Sequence, residues 1–197
     1  MASSSQPWDG TPLATGTRIA IKSSRYDYSD GMSGWAGDFA TPAGLALQSV
    51  SFAGVTYPNT LVFDEAITGL GAQFTIETWP AAPGEYFDAS PYMKCILQAD
   101  NGQYLTAGQA GWLSATVDRD AAAVLVLARD GDVHALYWIG YAFANRAAYD
   151  PSLGTLQQNG CLTFTASGAP PTIPYILGFV QGYCTLEVTV VGTDDIA

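Results

Sequence analysis

Apolar positions in this chain alternate in short runs, and no stretch keeps the three-to-four spacing of a surface helix. The clearest example is residues 93–127, MKCILQADNGQYLTAGQAGWLSATVDRDAAAVLVL, which predicts strands at 95–99, 103–107, 112–117 and 123–127. Asn101-Gly102 lies between two apolar runs, the strongest short-range hairpin signal, and predicts a type I′ turn with positive φ at both central residues. Residues 121–129 are Ala-rich, but Val124, Leu125, Val126 and Leu127 in succession read as a buried strand. Four short strands cannot bury a face by themselves, so such a unit is expected to recur.

It does recur. From Val133 the chain runs VHALYWIGYAFANRAAYDPSLGTLQQNGCLTFTA, in which Leu136, Phe143 and Phe164 repeat Leu97, Tyr104 and Leu125 at a displacement of 39 residues. A looser copy precedes both, with strands predicted at 17–23, 44–50, 61–63 and 73–77. It carries about 25 extra residues, placed at 25–42 and 54–59.

Three four-stranded units, the Asn-Gly turn, the Tyr104-Leu105 pair and a closing Phe-Thr strand resemble a β-trefoil. The segment ILQADNGQYLTA (96–107) is similar to the openings of fascin-like trefoil repeats. The resemblance spans residues 17–166 and is clearest over 93–166. It implies an all-β fold, a β-trefoil with an enlarged first repeat over residues 17–168. A two-sheet β-sandwich is the alternative, since many short strands with frequent turns suit both. Residues 1–16 are expected as a flexible lead that Trp8 pins down. Residues 169–197 are expected as a two-strand extension, packed on the same domain or exchanged between copies as a homodimer arm. The ricin-type lectin signature, Q-x-W in each repeat, is absent, so no glycan site carries over by motif.

Composition narrows the partners. Seven Lys and Arg stand against 18 Asp and Glu, a net charge of −11. That balance excludes nucleic acid and anionic membrane surfaces as expected partners, because both need clustered cations. No apolar run is long enough to span a bilayer. The start MASSSQPWDG has neither the basic nor the apolar region of a signal peptide, and the three cysteines form no C-x-x-C pair. A cytoplasmic protein with reduced thiols is expected, or one released without a signal peptide.

Candidate chemistry is sparse. His134 is the single histidine and opens a predicted strand, where partial exposure is expected. Cys95 lies on a predicted core strand. No phosphate-cradling loop, dinucleotide fingerprint or zinc spacing occurs. Asp27, Asp30 and Asp38 do not have EF-hand spacing, so neither metal nor cofactor is expected. Binding is therefore favoured over catalysis.

The candidate ligand residues combine aromatic faces with carboxylates or amides. Rings stack on sugar C–H faces, while acids and amides bond the hydroxyls. Trp35 and Asp38 fall in a predicted long loop, 26–39. Trp79 and Glu85 fall in the proline-rich segment 78–91. Asp100, Asn101 and Tyr104 surround the Asn-Gly turn, and Asn145 lies in the corresponding region of the third copy. Ile139-Gly140 stands where Asp100-Asn101 would recur, so a single site is expected there. The trefoil resemblance implies lectin-like carbohydrate binding as the expected function, since lectins are the largest share of non-enzymatic trefoils. The alternatives are a protein-binding module, such as a trefoil protease inhibitor using the 26–39 loop, or a receptor-binding toxin component. A fascin-like contact with actin, itself acidic, is disfavoured by the charge.

Overall fold

The structure is a computed structural model that describes residues 4–29, 34–52, 55–64, 66–67, 70, 72–80, 92–107, 113–130, 133–138, 162–164, 175–179 and 186–192. Within these residues the chain forms β1 (Gln6–Pro7), β2 (Arg18–Ser29), β3 (Gly34–Phe52), β4 (Val55–Asp64), β5 (Gln73–Thr78) and β6 (Tyr92–Ala99). There follow β7 (Tyr104–Ala107), β8 (Leu113–Thr116), β9 (Leu125–Asp130), β10 (Val133–Trp138), β11 (Leu162–Phe164), β12 (Tyr175–Phe179) and β13 (Leu186–Val190). All described pairings are antiparallel, and the one described helical element is a 3₁₀ turn at Arg119–Ala121. The fold is all-β.

Among the described residues, six strands close into a ring in the order β2, β5, β6, β9, β10, β13 and back to β2. The closure follows from period-two patterning. Directly opposed pairs around the ring are Ile19 with Phe74, Ile76 with Leu97, Met93 with Leu127, Leu127 with Leu136, and Val188 with Ile21. All are buried members of one core cluster. Side chains two residues apart share a sheet face, so a strand with apolar residues at alternate positions turns one full side inward. Each such Leu, Ile or Phe stabilises the fold by roughly 1.5–3 kcal/mol relative to leaving it exposed.

Three hairpins cap one end of this ring: β3–β4, β7–β8 and β11–β12. They meet through β4, which pairs β8 at Thr60–Ser114 and β12 at Val62–Ile176 and Phe63–Tyr175. Along the chain, a ring strand, a hairpin and a second ring strand thus recur three times.

The third unit closes differently from the expectation drawn from the 39-residue displacement. Leu162–Phe164, expected as its last strand, pairs among the described residues with β12, whereas β13 pairs with β10 and β2 and so completes the ring. Leu-Thr-Phe and Leu-Glu-Val-Thr-Val carry the same alternation, and only long-range pairing separates them. The residues expected as a two-strand extension thus hold β12 and β13. Both strands have neighbours within the chain on each side: β4 and β11 for β12, β2 and β10 for β13.

The stretch expected as a long loop at 26–39 is a ribbon. After a register shift between Ser23 and Arg25, β2 and β3 pair from Arg25–Asp38 to Ser29–Gly34. The ring neighbours of β2 engage it only as far as Ser23, so the ribbon extends past the ring. Alternating tyrosines at 26 and 28 suit a strand, and the Asp/Gly-rich segment between the two arms suits a reversal.

The N-terminal segment is held along its length. Trp8 is 2% exposed. Its N–H donates to the Val188 carbonyl at 2.9 Å and its Nε1 donates to the Thr11 carbonyl at 2.7 Å. Leu13 N–H meets the Met93 sulfur at 3.1 Å, Thr15 and Thr78 hydroxyls are 2.7 Å apart, and Gly16 N–H donates to the Ile76 carbonyl at 2.8 Å. Thr78 and Met93 belong to strand ends remote from the hairpins, and Gln6 and Pro7 pair with Val190 and Thr189 at the end of β13, so this segment crosses the opposite end of the ring.

Candidate functional site

The structure separates the sequence-derived candidates into different places. Asp100 and Asn101 build a turn. The Ala99 carbonyl accepts from Gly102 N–H at 2.9 Å, Ala99 N–H donates to the Gln103 carbonyl at 2.8 Å, and Gly102 has φ +80°. This is a three-residue loop, a type I turn followed by a left-handed glycine, and not the expected two-residue I′ turn. Asn101 is not in the left-handed region. Its Oδ1 accepts from Gln103 N–H at 3.0 Å and its Nδ2 donates to Gln103 Oε1 at 2.9 Å, which ties it to the following residue. Asp100 accepts from the Arg18 guanidinium at 2.6 Å. Both side chains are engaged in holding the hairpin.

Trp35 and Asp38 lie on the ribbon, opposite Tyr28 and Arg25 respectively. Glu85 and Asn145 lie outside the described residues.

Trp79 and Tyr104 belong to a further cluster on the outer side of the ring. In β5, Phe74 and Ile76 point into the core, which leaves Thr75 and Glu77 outside, with Trp79 next along the same side. Trp79 N–H donates to the Lys94 carbonyl at 3.0 Å and extends the β5–β6 ladder by one residue. The guanidinium of Arg119 sits over the Trp79 ring, 5.8 Å from its centroid. Arg119 Nε donates to Glu77 Oε1 at 2.9 Å, and a second guanidinium nitrogen donates to the same oxygen.

Local structure places Arg119. Asp118 caps the 3₁₀ turn through Oδ1, which accepts from Asp120 N–H at 3.0 Å. Thr106 Oγ1 donates to the Ala121 carbonyl at 2.6 Å, and Ala123 N–H donates to the Leu105 carbonyl at 2.9 Å. The turn is thereby fixed on β7, whose first residue is Tyr104, opposite both Gln98 and Thr116. The Glu77 hydrogen bond, and then the charges of Glu77 and Asp120, push the Arg119 pKa above its ordinary value.

Sequence reasoning missed Glu77 and Arg119. The signal for Glu77 was present, two residues before Trp79 on an alternating strand. Arg119 carried no such signal, because its place depends on the pairing of β7 with the turn. Trp79 and Asp100 stand at opposite ends of the β5–β6 ladder, about 17 Å apart along the strands, so one small ligand does not span them.

Two groups suited to nucleophilic or acid–base work, His134 and Cys95, are committed to structure. His134 is 4% exposed, not partly exposed as its position at a strand start suggests. Its Nδ1 accepts from Val188 N–H at 3.0 Å, which makes Nε2 the protonated nitrogen that donates to the Trp8 carbonyl at 2.9 Å. Cys95 is fully buried, and burial pushes its thiol up to about 12. Among the described residues no group of three His, Cys, Asp or Glu could hold a metal ion, and no helix is long and apolar enough to cross a membrane.

Comparison of the chain with protein-family models, with curated proteins and with solved structures gives no match.

Proposed function

We propose that this chain is a β-trefoil recognition protein that binds carbohydrate at the Trp79 cluster and performs no catalysis. The trefoil assignment is supported by the ring of two strands from each of three units and by the three hairpins that meet at one end. Recognition in place of catalysis is supported by the two spent nitrogens of His134 and by the inert thiol of Cys95.

The observation that carries the binding site is the geometry around Trp79. A half-buried indole is flanked by a guanidinium and a carboxylate that already hold each other in place. Both Arg119 donors go to Glu77 Oε1, so Oε2 stays available to a ligand hydroxyl. Sugar recognition needs an apolar plane beside fixed donors and acceptors, and rotamers fixed beforehand lower the entropy cost of binding.

A glycan-array screen of labelled protein at micromolar concentration tests this. Selective signals that weaken at least tenfold in Trp79→Ala, with the melting temperature kept, are the expected result. A blank array overturns it.

The ribbon favours a second reading, protein recognition. Beyond Ser23, β2 pairs with β3 alone among the described strands, and the paired segments carry Tyr26, Tyr28 and Trp35 in their sequence. Aromatic side chains on a projecting element are frequent anchors at protein interfaces. Replacing residues 25–38 by a short turn, and comparing the two proteins on a protease-inhibition panel, separates this role from sugar binding. Inhibition lost with the ribbon supports the second reading, and inhibition by neither protein removes it.

A further inference from the structure

The geometry points to His134 as a pH-operated latch that holds the N-terminal segment across the end of the ring remote from the hairpins. The latch is one imidazole placed between two chain segments. Through Nε2–H it holds the carbonyl of Trp8, at 2.9 Å, and through Nδ1 it holds the N–H of Val188, at 3.0 Å. Trp8 N–H in turn donates to the Val188 carbonyl, so residues 8, 134 and 188 form a closed set of three hydrogen bonds. The Trp8 and His134 rings lie 5.5 Å apart at 37°, with the imidazole 4% exposed.

Only the neutral imidazole satisfies this set. A proton added at Nδ1 faces the Val188 N–H with a second donor, and that hydrogen bond is lost. The added charge is also buried beside a cation. Arg129 on β9 is directly opposite His134, and its guanidinium donates to the Asp9 carbonyl. The carboxylates nearby are Glu187 on β13, whose ladder partner on β2 is Lys22, and Asp9 on the segment itself. Asp9 is engaged with Thr11, whose N–H and hydroxyl it accepts at 2.9 and 2.6 Å. A cleft of about 340 Å³ lined by Pro7, Trp8, Arg129, His134 and Glu187 gives water and protons access to this joint.

Burial lowers the His134 pKa below its ordinary value and the Arg129 charge acts in the same direction, outweighing the backbone hydrogen bonds to Trp8 and Leu186 and the Glu187 charge, which act the other way. The sign follows. The released segment binds the proton more readily than the latched one, so latching is at full strength above the ordinary histidine pKa of about 6.5. It weakens as pH falls below that value. The joint at Trp8 then loosens while the rest of the ring stays formed.

Backbone hydrogen exchange on the full chain at pH 7 and pH 4.5 tests the latch. Protection factors, corrected for intrinsic exchange, are expected to fall at least tenfold at Trp8 and Val188 and to stay within twofold at Ile76 and Leu97. In His134→Asn, whose side-chain oxygen stands in for Nδ1 without titrating, the difference between the two pH values is expected to vanish. Equal loss at all four amides overturns the latch, because the acid effect is then global. The same loss in His134→Asn also overturns it, because Asp9 or Glu187 is then the titrating group. Should that variant not fold, the wild type still decides. His134 is the single histidine, so its ring resonance is unambiguous. A titration midpoint that coincides with the loss of Trp8 protection supports the latch, and a midpoint displaced by more than one pH unit overturns it.

Discussion

Trp8 and Trp79 each sit beside a basic side chain, yet they occupy opposite situations. Trp8 is 2% exposed, and its ring N–H, its backbone N–H and its carbonyl are all bonded within the chain. Trp79 is half-buried on the outer side of the ring, under a guanidinium that directs two donors to one oxygen of its carboxylate partner. The first arrangement is saturated, and in the second two described donors converge on a single carboxylate oxygen. On the proposed reading, that difference separates a structural tryptophan from a recognition one.

The largest expected effect on stability comes from Trp8→Ala. Removing a buried indole of this size costs about 3–5 kcal/mol, measured as the shift in a urea unfolding midpoint at constant slope. A cost below about 1 kcal/mol would break the comparison, because Trp8 would then be peripheral.

His134→Ala comes next. It leaves the Trp8 carbonyl and the Val188 N–H without their buried partner, at about 1–3 kcal/mol for each group left unmet. Asn101→Ala sharpens the contrast from a different direction. Asn101 was a sequence candidate for ligand contact, but its bonds to Gln103 group it with the structural set. The expectation is a loss of about 0.5–1.5 kcal/mol with glycan signals unchanged. Weakened binding at full stability would return it to the site.

Trp79→Ala is expected to move stability least among the aromatic changes while it removes binding. Glu77→Gln is the smallest perturbation. It keeps the shape of the side chain and takes away the charge that orients Arg119, so the melting temperature should hold and glycan signals should fall severalfold. Unchanged signals in both variants would sink the Trp79 site.

Much of the ring was legible in the sequence because its signal is local. Ile19 and Ile21, Phe74 and Ile76, and Cys95 and Leu97 alternate within single strands, and each pair faces the core. The Asn101-Gly102 dipeptide marked a hairpin at the right place. Its turn type was not legible, because that depends on whether Asn101 adopts positive φ or bonds forward to Gln103, and it bonds forward.

Two features were hidden for a common reason. Trp8 lies in a Ser/Pro/Gly-rich stretch whose composition reads as loose, and its order comes from β13, at the other end of the chain. Leu162–Phe164 and Leu186–Val190 are both plausible closing strands by pattern, and the choice between them is made by β2 and β10. The Trp79 cluster was half legible. Aromatics near carboxylates drew attention to residue 79, but the working partners are Glu77, one strand turn away, and Arg119, delivered by a distant hairpin.

The ring closes by pairing the last ring strand with the first, Val188 opposite Ile21 and Val190 opposite Ile19. In kinetic terms this is the slowest kind of contact to form, since nearly the whole chain must be gathered as a loop before the pairing gives anything back. During synthesis the ring stays open until β13 has emerged. The same feature brings the described termini together: Gln6 lies beside Val190, and Gly192 N–H donates to Ser5 Oγ at 2.9 Å. A circular permutant that joins these ends through a short linker would turn the most distant contact of the molecule into a local one. It should fold faster than the natural order of segments and reach the same ring.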